Sequence, residues 1–421
     1  SIPLGKQFTW NITSVSDDAT AGTMTVKWTV TRNGSPIDPC NSDLASGQVM
    51  VPSTAVMDAA TNDGQPGIMR SYMQGNDYVL GQATNEPGQP TNVNIITSTG
   101  GKTTASTSAV NTTCAANVAT TTFSRGTVPA GATVGIVAFQ GKPGLPLPAS
   151  VGQWEAYPYA YMYVRVPVPT FQFNVGQLNQ TVQTTDVRRT IVDVEKCTKC
   201  HVGSLYQHGN TRVDNTLMCT VCHNSASSEQ SVRVGMGVTA SEAYDGLVGQ
   251  TFELKTMLHR IHTAGVQAEA TPLVIYRNRG IYAWAPDVSM LGPNWATGPV
   301  CGTGEGGVNK YWVYGADQTN PNACQPFNFF APTYPRYFFD CTACHTTGSV
   351  DDTPQQSQAV ATTLNAGSTT WINQLDDTLQ GASAAACTTC HTSTDAKGHA
   401  YQNGWTPQVF PQGRQTIIDT K

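Results

Sequence analysis

The chain has 421 residues, a net charge of −5 and only 12% charged residues. This length allows two or three ordinary domains. The weakly acidic balance gives no electrostatic basis for binding nucleic acid or an anionic membrane. No run of about 18 apolar residues is present to span a bilayer.

Residues 1–185 contain no histidine, and their pattern predicts β-structure. Apolar and polar residues alternate in 23–31 and again in 159–175, where prolines indicate an edge strand or a bend. A shorter apolar strand is predicted at 131–141, and polar stretches such as 94–113 separate the strands. We therefore expect an N-terminal all-β sandwich or small barrel, with no catalytic constellation in it.

Residues 186–421 contain every histidine of the chain, and the strand pattern fades there. The clearest predicted helix lies at 251–265, where Leu254, Leu258 and Ile261 form an apolar stripe and Gly265 is a suitable terminator. The stretch 266–340 is rich in Gly, Pro, Asn and aromatic residues, and we expect an irregular, loop-rich insertion there.

Four identical motifs define the chemistry of this second half. Each is a Cys-x-x-Cys pair followed directly by His, and a pair without the His would leave zinc binding or dithiol redox chemistry open. The adjacent His favours covalent haem attachment, because two thiols bond one porphyrin edge and the imidazole ligates the iron. The motifs are Cys197/Cys200/His201, Cys219/Cys222/His223, Cys341/Cys344/His345 and Cys387/Cys390/His391. We therefore predict four haem c groups in a loop-rich, mostly irregular or α-helical multihaem c-type cytochrome domain over 186–421.

The remaining histidines equal the predicted haems in number. They are His208, His259, His262 and His399. We predict that they supply the second axial ligands, so that each iron is bis-histidine and six-coordinate. His259 and His262 leave the same side of a helix and are expected to serve two different haems. With both axial positions filled, electron transfer is favoured over chemistry on a bound substrate.

Four further cysteines remain. They are Cys40, Cys114, Cys301 and Cys324. Their positions favour the disulfides Cys40–Cys114 and Cys301–Cys324, and hence an oxidising compartment, although free buried thiols are the alternative. The first ten residues show no signal pattern, so export is expected to have removed one.

The second half resembles the outer-surface decahaem cytochromes of the OmcA/MtrC type. The resemblance rests on "CTKCHVGSLYQHGNTRVDNTLMCTVCHN", "LKTMLHRIH", "YPRYFFDCTACH" and "CTTCHTSTDAKGHA", within about 190–265 and 334–400. It implies one half of such a protein, a β-domain followed by a multihaem domain. It also implies distal-ligand roles for His208, His259, His262 and His399. The chain departs from the family in having four attachment motifs where a family half has five.

Extracellular electron transfer is the function these features predict, with an electron-transfer role favoured over a substrate-converting enzyme. The chain also resembles, in architecture, the subunits of extracellular cytochrome filaments. We therefore expect a surface carrier or a nanowire subunit at the outer cell surface, with copies of itself or other cytochromes as partners and extracellular electron acceptors downstream. The alternatives are a terminal reductase of metals, minerals or flavins at an exposed haem edge, and a module whose β-domain binds a surface.

Overall fold

The computed structural model describes most of the sandwich region and much of the cytochrome half. The described residues are 2–40, 67–73, 79–80, 90–94, 97–99, 102–104, 111–146, 161–185, 190–207, 212–224, 227, 229–230, 232–233, 238, 241, 243–247, 249–266, 272–277, 280–291, 312–313, 325–337, 340–349, 359–361, 378–380, 393–402, 405–409 and 415–419. Within these ranges, none of the helices has the length and hydropathy needed to cross a membrane.

The chain divides into two compact units. Unit 1 comprises Ser1–Gln82, Pro90–Cys222 and Ala343–Thr346, and unit 2 comprises 83–89, 223–342 and 347–421. Residues 190–222 therefore share a compact unit with the N-terminal strands. The predicted boundary between a β-domain at 1–185 and a cytochrome domain at 186–421 stays a prediction.

The strands of unit 1 are short to medium in length. They are β1 (Phe8–Asp18), β2 (Thr23–Arg32), β3 (Ser35–Ile37), β4 (Gly67–Met73), β5 (Val79–Leu80), β6 (Thr91–Asn94), β7 (Thr97–Thr99), β8 (Lys102–Thr104), β9 (Asn111–Ala115), β10 (Val118–Ser124), β11 (Val134–Gln140), β12 (Gly144–Pro146), β13 (Tyr161–Tyr163), β14 (Thr170–Asn174), β15 (Tyr206–Gln207) and β16 (Arg212–Val213). Its helices are α1 (Ile2–Gly5), α2 (Val194–Thr198) and α3 (Thr216–Cys222).

Two sheets of unit 1 form the predicted β-sandwich. One has the order β1-β2-β10-β9 with β3 on β2, and the other has the order β14-β11-β4-β5 with β6 on β4. Alternate residues of β2 are buried, as the alternating sequence predicts. Phe139 of the second sheet packs against both tryptophans of the first, with ring centroids 4.6 Å from Trp10 and 5.0 Å from Trp28. This aromatic cluster lies in the main core.

Strand β11 is buried at all seven positions because both of its faces are covered. Val137 and Phe139 face the sandwich core. Val134, Ile136 and Ala138 belong to a second cluster that includes helix α3. A strand covered on both faces is continuously apolar, which explains the unbroken run in the sequence.

In unit 1, one stretch leaves its sheet at prolines that predicted an edge strand or a bend, and another stretch differs from the expectation. The stretch 159–175 is interrupted: after β13 the chain leaves the sheet and β14 begins only at Thr170, because Pro167 and Pro169 lack the amide hydrogens that a ladder needs. The stretch 94–113, expected as a polar connection, contains the β7–β8 hairpin and the start of β9. Its Thr-rich composition suits solvated strands as well as loops.

The predicted disulfide Cys40–Cys114 is present, with the two Cα atoms 6.1 Å apart. It joins the segment after β3 to strand β9. The other predicted pair, Cys301–Cys324, lies outside the described residues.

The elements of unit 2 include two four-stranded sheets. The strands are β17 (Leu273–Arg277), β18 (Gly280–Trp284), β19 (Trp312–Val313), β20 (Gln325–Phe330), β21 (Ala359–Ala361), β22 (Thr378–Gln380), β23 (Trp405–Val409) and β24 (Gln415–Asp419). The helices are α4 (Leu254–Thr263) and α5 (Thr394–Gln402). The sheet orders are β17-β18-β20-β19 and β21-β22-β24-β23.

Within the predicted loop-rich insertion at 266–340, the described residues include the strands β17 to β20. Val274, Tyr276, Ile281 and Ala283 of β17 and β18 pack into a core of their own. Their short apolar runs were obscured in the sequence by the surrounding Gly, Pro and Asn residues.

Candidate haem-binding site

The first motif forms a single helical turn. Helix α2 begins after Asp193, whose side chain accepts a hydrogen bond from the Glu195 amide at 2.9 Å. Beyond the helix, the amides of Cys200 and His201 both donate to the Cys197 carbonyl, at 3.1 and 3.0 Å. This turn brings both cysteines and the histidine of the motif close together, which covalent attachment to one ring requires.

The second motif lies on a helix that packs against the sandwich. Asn215 accepts a hydrogen bond from the Met218 amide at 3.0 Å and donates to the Val168 carbonyl at 2.8 Å, so the start of α3 is tied to unit 1. Cys222 is buried, and its sulfur lies 3.7 Å from the sulfur of Met69 on β4. Burial raises the pKa of the Cys219 thiol to about 11.

The histidine of this motif is oriented by a backbone carbonyl. The His223 Nδ1 atom lies 2.8 Å from the carbonyl oxygen of Phe252. Because a carbonyl only accepts, Nδ1 carries the proton and donates, which leaves the Nε2 lone pair for a metal. The Leu254 amide donates to the His223 carbonyl at 2.9 Å, which fixes the same two segments together a second time.

Helix α4 carries His259 and His262. The helix begins at Leu254, after the Glu253 carboxylate accepts a hydrogen bond from the Thr256 amide at 3.1 Å. The His262 Nδ1 atom lies 2.8 Å from the Leu258 carbonyl oxygen one turn earlier, so it donates there and again leaves Nε2 available.

The C-terminal end of α4 contacts the segment after β20. The Gly265 amide donates to the Pro332 carbonyl at 3.2 Å. The ring of Tyr334 meets His262 edge-on, with centroids 6.0 Å apart. The aromatic contact and the carbonyl together restrict rotation of the His262 ring.

The burial of α4 differs from the pattern that predicted it. Its buried side chains are polar ones, Thr256, Arg260 and Thr263. The apolar stripe of Leu254, Leu258 and Ile261 is only half-buried and runs beside the two histidines.

The third motif is held against the first within unit 1. Val192 and His345 form an isolated antiparallel bridge, and the Asp193 amide donates to the Cys344 carbonyl at 2.9 Å. The Lys196 ammonium group donates to the His345 carbonyl at 2.6 Å. These contacts place the two attachment motifs side by side.

A side-chain contact joins the same two motifs. The thiols of Cys197 and Cys344 are hydrogen-bonded, and this bond, together with burial, raises the pKa of Cys197. Burial lowers the pKa of His345, which keeps its imidazole neutral, the form that ligates a metal.

Several predicted site residues are not brought into this arrangement. His399 is exposed on α5. His208 and the whole fourth motif, Cys387, Cys390 and His391, lie outside the described residues.

A family comparison decides what this arrangement belongs to. The model of the family "Outer membrane cytochrome MtrC/MtrF-like, domains II/IV" matches residues 189–416, more than half of the chain. The chain belongs to this MtrC/MtrF-like cytochrome family. The matched range includes all four attachment motifs and leaves the N-terminal sandwich outside it.

The MtrC/MtrF-like chain has few other matches. No curated protein matches it. Among solved structures, the crystal structure of MtrC from Shewanella baltica OS185 aligns with 63% of this chain and 39% of that chain, at 12% identity and a TM-score of 0.34. The chain thus spans well under half the length of that protein.

The described residues of this MtrC/MtrF-like cytochrome fit a covalently attached haem. None of the six described motif cysteines forms a disulfide. Two imidazoles, of His223 and His262, have Nδ1 committed to carbonyls and Nε2 left for iron. The half-exposed apolar stripe beside His262 suits contact with the face of a large apolar ring.

Sequence reasoning missed the groups that orient the ligands. Met69, Phe252 and Tyr334 lie far in sequence from the residues that they contact, which are Cys222, His223 and His262, and the Phe252 contact uses only a backbone oxygen. Backbone groups leave no residue-type signal. Only the arrangement in space reveals them.

Proposed function

We propose that this protein transfers electrons through four covalently attached haem c groups, each held by two histidines. The observation that carries the proposal is the 2.8 Å contact between His223 Nδ1 and the Phe252 carbonyl, which prepares Nε2 as an iron ligand. The iron of haem supplies reversible one-electron chemistry when bound. The protein's residues hold the ligands and restrict their movement.

Each attachment motif has a role in this proposal. The cysteines of the four motifs form the thioether bonds, and His201, His223, His345 and His391 are the proximal ligands. The distal ligands are His208, His259, His262 and His399. An iron ligated by two imidazoles would leave no position for an exogenous ligand. The protein would then act as an electron carrier rather than as a substrate-converting enzyme.

The first and third haems are neighbours in this proposal. The support is that residues 190–197 and 344–346 are joined by backbone hydrogen bonds and by a hydrogen bond between the Cys197 and Cys344 thiols. The order of haems in space then differs from their order in the chain, because the third motif comes next to the first. Close approach of two haems permits rapid electron exchange between them.

The β-sandwich acts, in this proposal, as the scaffold of the second haem. Helix α3 buries Met218, Val221 and Cys222 in a cluster with strands β4 and β11. A rigid sheet behind the attachment helix limits movement of the thioether bonds.

The setting proposed is the outer cell surface or the extracellular space, after removal of a signal peptide. The partners are other cytochromes, copies of the same chain in a filament, and extracellular acceptors. Family membership and the Cys40–Cys114 disulfide, which persists in an oxidising compartment, support this setting.

Counting haems and reading their spin state tests the function. Mass spectrometry of the exported protein is expected to find four haems bonded to the chain, and electron paramagnetic resonance is expected to find only low-spin iron. His262→Ala is expected to retain all four haems but to convert one of them to a high-spin form. Lys255→Ala, a change on the same helix, serves as the control and is expected to keep every haem low-spin. High-spin iron in the unaltered protein, or fewer than four haems, contradicts the proposal.

A further inference from the structure

Unit 2 contains a fully buried arginine whose donors are all used. Arg233 Nε donates to Glu229 at 2.7 Å, and the two terminal nitrogens donate to Asp245 at 2.6 and 2.8 Å. The remaining donors reach the carbonyls of Leu247 at 2.6 Å and Val274 at 2.9 Å. The guanidinium group also lies over the Tyr276 ring, 4.5 Å from its centroid.

The charges in this cluster do not balance when every group is ionised. Arg233 carries one positive charge, whereas Glu229 and Asp245 together carry two negative charges, and all three side chains are at most 1% exposed. The second oxygen of Glu229 accepts no hydrogen bond within the described part of the chain. Burying an uncompensated charge is costly, so the cluster favours one bound proton.

Glu229 is the group at which that proton resides. Asp245 has both oxygens bonded to Arg233 and also accepts the Leu247 amide at 3.1 Å. Glu229 has one oxygen bonded to Arg233 and the other available for protonation. Burial raises the pKa of Glu229 to about 8.

The two tyrosines near Glu229 do not change charge in the pH range in which Glu229 does. The backbone amide of Tyr276 faces the carboxyl group. The hydroxyl of Tyr276 accepts a hydrogen bond from the Tyr244 amide at 3.1 Å, and burial raises the pKa of Tyr244 to about 12. Burial also raises the pKa of Tyr276. Both phenols therefore stay neutral near pH 8, where Glu229 changes charge.

The cluster is connected to the segment that orients a proposed haem ligand. The Glu229 amide donates to the Gln250 carbonyl at 3.1 Å, two residues before Phe252. The Phe252 amide donates to the Ser227 carbonyl at 3.3 Å, and the Phe252 carbonyl contacts His223. Glu229 is six residues from His223, so their Cα atoms are at most about 21 Å apart. Charges at such separations interact measurably through a protein interior.

We propose that Glu229 is a proton-binding site that is linked to electron transfer by this protein. When one electron enters from a reduced cytochrome or a chemical reductant, the local charge falls by one, and the Glu229 carboxylate takes up one proton from solvent. No covalent bond other than this O–H bond forms or breaks. By reciprocity, proton binding at Glu229 favours the reduced state to the same extent. The inference rests on the proposed function, because it requires a redox centre in unit 2.

Redox titration of the haem-loaded protein at several pH values tests the link. In the unaltered protein, the midpoint potential of at least one haem is expected to fall with rising pH above about pH 8, by at most about 59 mV per pH unit. Glu229→Gln is expected to lose this slope, because the amide keeps an oxygen for Arg233 but cannot ionise. Asp287→Asn is the matched control, because Asp287 is exposed at the start of the short 3-10 helix Val288–Met290, and this variant is expected to keep the slope. An unchanged slope in Glu229→Gln overturns the proposal.

Infrared difference spectroscopy of the unaltered protein provides a second measurement that needs no variant. Reduction above pH 8 is expected to produce a carboxylic acid band that shifts in deuterated water. Lack of such a band also overturns the link. Failure of the proposed function is distinguishable, because it appears as missing or high-spin haems before any pH dependence is measured.

Discussion

The sulfur of Cys222 lies 3.7 Å from the sulfur of Met69, although 153 residues separate them in the chain. One belongs to an attachment motif and the other to a strand of the β-sandwich. The contact lies in a cluster with Met73, Val134 and Ile136, so the sandwich covers the helix that carries the second motif. Folding of unit 1 and presentation of that motif are therefore coupled.

Met69→Ala is expected to lower the free energy of unfolding by about 2–5 kcal/mol, because Met69 is fully buried and its removal leaves a cavity beneath α3. Denaturant unfolding followed by circular dichroism measures the loss. Met290→Ala removes a half-buried side chain of the same type and is expected to cost less. Equal costs for the two changes would contradict the proposed coupling of α3 to the sandwich.

Gly265→Ala is expected to disturb the end of helix α4. A Cβ atom at this position overlaps the Pro332 carbonyl oxygen, so the backbone of one segment must move. The shift displaces Tyr334 from His262, and we expect a lower melting temperature together with an altered low-spin signal from one haem.

Gly398→Ala is the matched control for this change. Its Cβ has no neighbour within 4 Å, and it lies inside helix α5. Replacing a helical glycine by alanine is expected to stabilise the helix by about 0.5–1 kcal/mol. A melting temperature that rises in both variants would show that the Gly265–Pro332 approach is not tight in solution.

The attachment chemistry could be predicted from the sequence because it depends on residue type at fixed spacing. The strand β2 was predictable because burial of alternate residues imposes a period of two on its sequence. The helix at 254–263 was predictable from its apolar residues, which recur at helical spacing. The strands β17 and β18 escaped prediction because their apolar runs are only five residues long and lie among turn-forming residues.

The long-range contacts of the site have no sequence signal. The pairing of Val192 with His345 and the contact of Phe252 with His223 depend on how distant segments meet. The polar burial of α4 is a further example: its sequence predicts that the apolar stripe is covered by protein, and the structure leaves that stripe half-exposed beside the histidines.

Removal of the Cys40–Cys114 disulfide by the double change to alanine is expected to destabilise unit 1 by about 2–4 kcal/mol. The bridge closes a loop across 74 positions, and loss of such a constraint gives the unfolded chain more freedom. Thermal unfolding with and without reductant measures the effect. The double variant is expected to lose the reductant effect on unit 1, and any remaining reductant effect would belong to the predicted Cys301–Cys324 pair. An unchanged reductant effect in the double variant would contradict the prediction.

Arg233→Met is expected to cost about 3–5 kcal/mol, because it leaves Glu229 and Asp245 buried without their cation. Arg336→Met is the control, since Arg336 forms a mostly exposed pair with Asp340 at 3.4 Å. An exposed pair contributes about 0–1 kcal/mol. Denaturant titration at pH 7 compares the two, and a similar cost for both would argue against a buried charge cluster.

The pH dependence of stability follows from the raised pKa of Glu229. An unfolded glutamate titrates near pH 4.3, whereas the folded group titrates at about 8. Between these values the folded protein binds more protons than the unfolded chain, so stability falls as pH rises through this window and levels off above it. Glu229→Gln is expected to flatten this fall. Unfolding free energies are measured at pH 5, 7 and 9 for both proteins. The difference between the two proteins at each pH isolates Glu229, because all other titrating groups are common to both. A parallel pH profile in the two proteins would mean that Glu229 ionises in the folded state as readily as in the unfolded one, and that Arg233 holds both carboxylates in their charged form.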